Sequence, residues 1–216
     1  TIYERWNKET IWGLTTFNPG EMSHLCMPPL TTTMRDRASG RFVPTFDLVE
    51  SYYSNHGVPI EEDKDYDYNG RYSLQTASEK DKWYIKEGEE TVKLHFDREP
   101  RFYAHIAADR CYWMRGKNLA VTAYQGEKFG TQSTSITTLP QNLTGYWIKK
   151  GTYSNVSTKE YSTVDNREEA FIETRLAELY LMKAEAWNEY LTAPDKEHVY
   201  APLNEVRRRA GIPDVE

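Results

Sequence analysis

The sequence predicts a mainly α fold with extensive irregular loops and a few short strands, and three observations carry that prediction. Up to about residue 165, glycines, prolines and Ser/Thr/Asn clusters interrupt every periodic run, which leaves no room for a long helix. From about Thr174 onward, apolar residues recur at helical spacing. Aromatic residues make up 13% of the chain against 38% hydrophobic residues overall, so large rings carry much of the burial.

The elements follow in chain order. Glu9–Leu14 reads as an extended run. Pro44–Asn55 reads as a helix: proline suits the first turn, Phe46, Val49 and Tyr53 share a face, and Gly57 marks the stop. Thr91–Phe96, Ala104–Ala108 and Gly145–Lys149 read as short strands. Thr174 suits an N-cap for a helix whose inward face is Leu176, Tyr180, Ala184, Trp187 and Leu191. The Thr192-Ala-Pro-Asp195 break ends it and starts a second helix, with Tyr200, Leu203, Val206 and Ala210 inward. That helix stops at Gly211, with Pro213 beyond and Arg207–Arg209 in its last turn. Trp12, Tyr112, Trp113 and Trp187 read as structural.

Two helices of this size across a short break make a hairpin of the tetratricopeptide kind. Ala177, Ala184 and Ala186 would let a neighbouring helix approach closely. The period has no second copy in the sequence, so the expected partner helices come from elsewhere.

Net charge is −6, from 33 acidic and 27 basic residues, which argues against a general nucleic-acid binder. The longest apolar runs are far short of the ~18 residues that span a bilayer. Residues Thr1–Trp6 resemble no signal peptide, so an export signal or lipid anchor is expected upstream, if there is one. Cys26 and Cys111 suit one disulfide or two buried free thiols, and spacing does not decide between them.

Motifs that demand chemistry are absent from the sequence. It holds no G-x-S-x-G, no HExxH and no Gly-rich phosphate loop, and the five histidines lack metal-ligand spacing. Asp65-Tyr-Asp67-Tyr-Asn69-Gly70 reproduces the first half of an EF-hand loop, but Thr76 stands where the bidentate Glu belongs. We therefore expect no catalytic residues, no metal and no cofactor.

Several segments in order resemble one family. Arg175-Leu-Ala-Glu-Leu-Tyr-Leu-Met-Lys-Ala-Glu-Ala186, then Leu203-Asn-Glu-Val-Arg-Arg-Arg-Ala-Gly-Ile-Pro213, resemble the helix pair of the SusD/RagB family. Pro44–Tyr52 with Gly57-Val-Pro-Ile60, Arg98-Glu-Pro-Arg-Phe-Tyr103 and Thr144-Gly-Tyr146 with Lys149-Lys150 resemble further family segments, with Glu99 in place of the usual Asp. The resemblance runs from about residue 9 to residue 213. It is to the carboxyl-terminal portion of longer proteins, so the chain reads as a piece of one.

The resemblance implies a SusD-like fold, with residues 1–165 as a loop-rich ligand-facing region and 166–216 as the hairpin, both in one domain. It implies a non-enzymatic lipoprotein on the extracellular face of the outer membrane of Bacteroidetes-type bacteria. Such a protein sits over a SusC-like TonB-dependent transporter and hands it an oligosaccharide or, in some branches, a peptide; a pure helical scaffold is the rival reading. Contact with the membrane would run only through the upstream lipid anchor. Within Thr16–Phe42, which carries rings and forked cations suited to sugars, the candidate ligand contacts are Phe17, Arg35, Arg41 and Phe42. Solvated arginines and a core Phe42 are the alternative. The stacking tryptophan that relatives can place near Gly40-Arg-Phe42 is absent.

Overall fold

The computed structural model describes residues 7–14, 19–28, 42–124, 127, 142–150, 152 and 170–216, and their regular structure is mainly helical. The helices are α1 (Pro19–Cys26), α2 (Phe46–Ser51), α3 (Pro100–His105), α4 (Leu176–Tyr190) and α5 (Ala201–Ala210). Eight short strands accompany them among the described residues. They are β1 (Thr10–Leu14), β2 (Leu74–Thr76), β3 (Glu90–Val92), β4 (Ile106–Ala107), β5 (Tyr112–Met114), β6 (Leu119–Ala120), β7 (Trp147–Ile148) and β8 (Phe171–Arg175). All pair as two-stranded antiparallel ribbons, β1 with β8, β2 with β3, β4 with β7 and β5 with β6, so no sheet closes among the described residues.

The chain divides into two compact units, Thr1–Pro19 with Asn166–Glu216, and Gly20–Asp165. In the first, β1 lies against β8, and Gly13 is needed there because a Cβ would meet the Phe171 carbonyl oxygen at 2.8 Å. This pairing corrects the expected helix start. Thr174 is held in β8 opposite Trp12, and Arg175 takes the N-cap position of α4.

The inward face of α4 also differs from expectation. Ala177 and Ala184 are buried, whereas Leu176 and Tyr180 are exposed. Helix α4 packs against α5, and its buried positions are small alanines while the larger residues beside them are exposed. Trp187 is half-buried, its ring 4.3 Å from the His198 imidazole. Trp12, expected in the core, is 63% exposed because a two-stranded ribbon gives its face little cover.

After the break, Asp195 accepts the His198 backbone N–H at 2.6 Å and opens a π-helical turn, Lys196–Tyr200, that runs into α5. Helix α5 ends at Gly211, whose φ of 76° is the left-handed conformation glycine adopts without strain. Beyond it, Asn204 clamps the chain: its side-chain amide donates to the Val215 carbonyl and accepts the Val215 N–H, both at 2.9 Å. Arg207 Nε donates to the Pro213 carbonyl at 2.7 Å, and Arg209 forms an ion pair with Glu9.

In the second unit one core gathers Val49, Ile85, Leu94, Phe102, Ile106 and Tyr146, and another gathers Met27, Trp113, Val121 and Trp147. Cys26 and Cys111 are free buried thiols, and burial pushes the Cys26 thiol up to about 11. Pro44 lies outside α2, since Thr45 is the N-cap and its hydroxyl accepts the Leu48 N–H at 3.2 Å. Val49 is buried as expected, but Phe46 is exposed and Tyr53 lies past the helix end. The expected strand at Thr91–Phe96 is halved, because Lys93–His95 tightens into a 3₁₀ turn. That at Ala104–Ala108 is shortened, because Pro100 starts α3, which runs to His105.

The four carbonyls after the first turns of α2 converge on one cation. Arg98 is 2% exposed and donates to the carbonyls of Val49, Glu50, Tyr52 and Tyr53, with Nη1 donating to Leu94 at 2.9 Å. Glu99 completes the tie by accepting the Tyr53 N–H at 2.9 Å.

Candidate ligand-binding surface

Of the four candidate contacts, Phe17, Arg35 and Arg41 lie outside the described residues. Phe42 is 47% exposed and so is not a core residue. Its backbone N–H donates to the Leu25 carbonyl at 3.0 Å, which ties the end of that segment to α1.

Four residues further on, α2 presents a second set of rings that the sequence reading missed. Phe46 is exposed, its centroid 5.9 Å from those of both Tyr72 and Tyr146. Tyr72 is 50% exposed, and its hydroxyl donates to Glu50 Oε1 at 2.5 Å. The Arg71 guanidinium lies between two rings, 3.9 Å from the Tyr68 centroid and 4.2 Å from that of Tyr72. Arg71 Nε also donates to Glu50 at 2.7 Å. Partial burial pulls the Glu50 carboxyl upward, but the hydrogen bonds from Arg71 and Tyr72 and the Arg71 charge outweigh it and hold the group below the usual carboxylate range. The result is a set of open rings around a fixed guanidinium–carboxylate pair. Such a surface stacks against apolar ring faces and exchanges hydrogen bonds at its edge. The signal available in sequence was the Tyr68/Arg71/Tyr72 cluster, but its pairing with Glu50 spans more than twenty residues.

The EF-hand-like loop is occupied by the protein's own groups. Asp67 Oδ1 accepts the Gly70 N–H at 2.9 Å, and Oδ2 accepts from the Lys93 ammonium at 2.8 Å. Nearby, His56, Asp63 and Asp65 bring ligand-type atoms within 4.8 Å of one another, a grouping that sequence spacing had not suggested. There Asp63 accepts from the His56 ring at 2.9 Å and from the Asp65 N–H at 3.0 Å, so the cluster is already hydrogen-bonded.

The SusD family model matches residues 8–216, nearly the whole sequence. The chain belongs to the SusD family. Two solved structures, of BT4246 and of selenomethionine BT4246, share its fold with a TM-score of 0.70 at 24% identity. The selenomethionine structure matches over 97% of this chain and 35% of its own length, the other over 98% and 34%. This SusD-family chain therefore spans about a third of the length of those structures. No curated protein matches it. SusD-family proteins are non-catalytic binding proteins exposed at the outer-membrane surface. No described helix is long and apolar enough to cross a membrane.

Against the family pattern, the segments that carry the resemblance prove structural. Arg98 and Glu99 hold the end of α2, and Asn204 and Arg207 hold the turn after α5. Tyr146 bonds the buried His95 at 2.9 Å, and Lys149 donates to the carbonyls of Tyr103 and Tyr112 at 3.2 and 2.8 Å.

Proposed function

We propose that this SusD-family chain serves nutrient capture at the outer-membrane surface, linked to TonB-dependent uptake, and that its ligand is an oligosaccharide. The match to the family over residues 8–216 is the observation that carries the proposal. Support for a sugar comes from the open rings of Phe46 and Tyr72 beside the Arg71–Glu50 pair, and from the exposed Phe42. Stacked rings suit the C–H faces of pyranoses, while a fixed carboxylate and guanidinium suit their hydroxyls. Phe17, Arg35, Arg41 and Phe42 are the proposed contacts, and a SusC-like TonB-dependent transporter is the proposed partner. Binding is reversible and without turnover.

The test is a glycan-array screen, followed by calorimetry with the best hit and chromatography of the sugar after long incubation. Binding of a glycan that is recovered intact is the expected result. Shortened sugars absent from a buffer control would overturn the non-catalytic reading. Heat from a peptide pool with none from any glycan would make peptide the ligand. No heat from either would leave a helical scaffold.

A further inference from the structure

A second polar recess lies in the unit formed by Gly20–Asp165. It holds about 150 Å³ between Asn55, Lys80, Tyr84, Asp97 and the buried Asp81, Arg98 and Tyr103. That is room for one sugar ring, and is well short of the ~300–1,000 Å³ of a site for a drug-sized ligand.

The aromatic part of this recess is rigid. Tyr84 and Tyr103 stack at 4.0 Å between centroids with planes 6° apart. Tyr103 is 8% exposed, and its hydroxyl donates to the His95 carbonyl at 2.7 Å, so the lower ring is fixed. The Tyr84 backbone is fixed as well, its carbonyl accepting the Tyr112 N–H at 2.8 Å. Tyr84 nonetheless keeps 40% of its surface open, which leaves ring area for a ligand's C–H groups.

The polar part combines three kinds of hydrogen-bonding group. Lys80 Nζ lies 3.4 Å from Asp97 Oδ2, and both side chains are at least half exposed. Asp97 holds a left-handed backbone conformation, φ 50°, in which its carbonyl accepts the Asn55 N–H at 2.8 Å. A non-glycine residue kept in that region by its surroundings is a feature that clusters at functional sites. Arg98 lends the recess a wall but no donor, since its guanidinium is spent on backbone carbonyls. Ammonium, carboxylate and the Asn55 amide thus remain at the rim.

The charges at that rim decide the ligand class. Lys80 and Asp97 pair at the rim, and the buried Arg98 and Asp81 balance one another in the wall, so neither an anionic nor a cationic ligand gains a net attraction. A neutral polyhydroxyl ring can donate to Asp97, accept from Lys80 and stack on Tyr84 without separating the pair. We propose that this recess is a subsite for one neutral sugar ring, separate in sequence from Thr16–Phe42. It rests on the reading of the chain as an oligosaccharide binder.

The test is saturation-transfer NMR on the full chain with methyl α-D-glucoside, methyl α-D-mannoside and methyl β-D-galactoside, with glucuronate and glucosamine as charged controls. At least one neutral glycoside should receive saturation. Asn55→Ala, whose side chain is exposed, and Tyr84→Ala should each weaken it about five- to tenfold. Circular dichroism checks that each variant is folded, and Asn55→Ala keeps the test decisive if Tyr84→Ala is not. Absence of transfer, equal transfer in both recess variants, or equal transfer to the charged controls overturns the subsite. If oligosaccharide binding by calorimetry survives that result, the functional reading stands and only the subsite falls; if no sugar binds in either experiment, both fall.

Discussion

Arg98 Nη2 lies 2.7 Å from the carbonyl oxygen of Tyr52, 46 residues earlier in the chain. Helix α2 is only six residues long, too short to persist through its own hydrogen bonds. Its last carbonyls lack helical partners, and the buried guanidinium supplies them from a distant segment. Burial pulls the Arg98 pKa below its ordinary value, with the neighbouring Tyr66 and Tyr103 hydroxyls opposing, but the cation is retained by its five carbonyl contacts.

Arg98→Met keeps much of the side-chain volume and removes every donor. Several buried carbonyls would then lack partners, at about 1–3 kcal/mol each. We expect a total loss of at least about 3 kcal/mol in urea unfolding. A loss within about 0.5 kcal/mol, typical of a surface site, would show that water replaces the guanidinium.

His95 gives the fold an acid-sensitive centre. Its ring bonds the Thr91 hydroxyl at 3.0 Å and the Tyr146 hydroxyl at 2.9 Å. Burial, reinforced by the Arg98 charge, lowers its pKa from 6.5 to about 3. The unfolded chain therefore binds a proton below about pH 6.5 that the folded chain refuses until about pH 3. Stability from this group is complete above pH 6.5 and falls by about 1.4 kcal/mol per pH unit inside that window. Burial raises the Asp109 carboxyl, which reaches His95 through Thr91 and opposes the loss at the acid end. His95→Gln keeps a donor and an acceptor but cannot titrate. Urea midpoints measured between about pH 7.5 and 5.5 should fall less in the variant than in the parent, and parallel curves would refute this origin.

How much of this was legible in sequence depends on the range of the forces involved. The Asp195 and Gly211 boundaries of the second helix were readable because capping acts within one turn. The Thr174 cap was misplaced because β8 is defined by its pairing with β1, some 160 residues away. The inward face of α4 was missed for a similar reason: hydropathy favours Leu176 and Tyr180, but close packing favours Ala177 and Ala184. At the candidate surface, Phe42 was visible as a ring in a polar stretch. Glu50, Arg71 and Tyr72 were not, because only the fold brings the carboxylate to the guanidinium.

The Asn204 clamp should behave as a local unit. Its amide satisfies both backbone groups of Val215, and the side chain is nearly buried. Asn204→Ala should cost about 1–2 kcal/mol and speed hydrogen exchange at the Val215 amide. Unchanged exchange there would mean that the turn after α5 is held by Arg207 and Gly211 without it.

Calcium should not support the Asp65–Asn69 loop. Both Asp67 oxygens already accept hydrogen bonds, and the Lys93 ammonium holds that carboxyl below the usual range. A cation would have to displace Lys93 at a position where Thr76 offers no bidentate carboxylate. EDTA should leave the melting temperature unchanged in the parent and in Asp67→Ala. A chelator-induced drop that Asp67→Ala abolishes would establish a site.

Phe42 provides the test that joins fold to function. The residue is 47% exposed and its backbone is anchored to Leu25, so truncation removes side-chain area without loosening the chain. Phe42→Ala should therefore alter stability by no more than about 0.5 kcal/mol. Binding of the best glycan should nevertheless weaken by about 1 kcal/mol, roughly fivefold, the scale of one stacked ring. Glu50→Gln is the informative companion, because it leaves every ring in place. The carboxylate orders Arg71 and Tyr72, and its neutral amide loses the charge that holds both. If Tyr72 belongs to the same surface, Glu50→Gln weakens binding as well, and the double variant loses more than either single one. Calorimetry on the parent and the three variants decides it: full affinity in Phe42→Ala would remove Phe42 from the site, and full affinity in Glu50→Gln would confine the sugar to the Thr16–Phe42 segment.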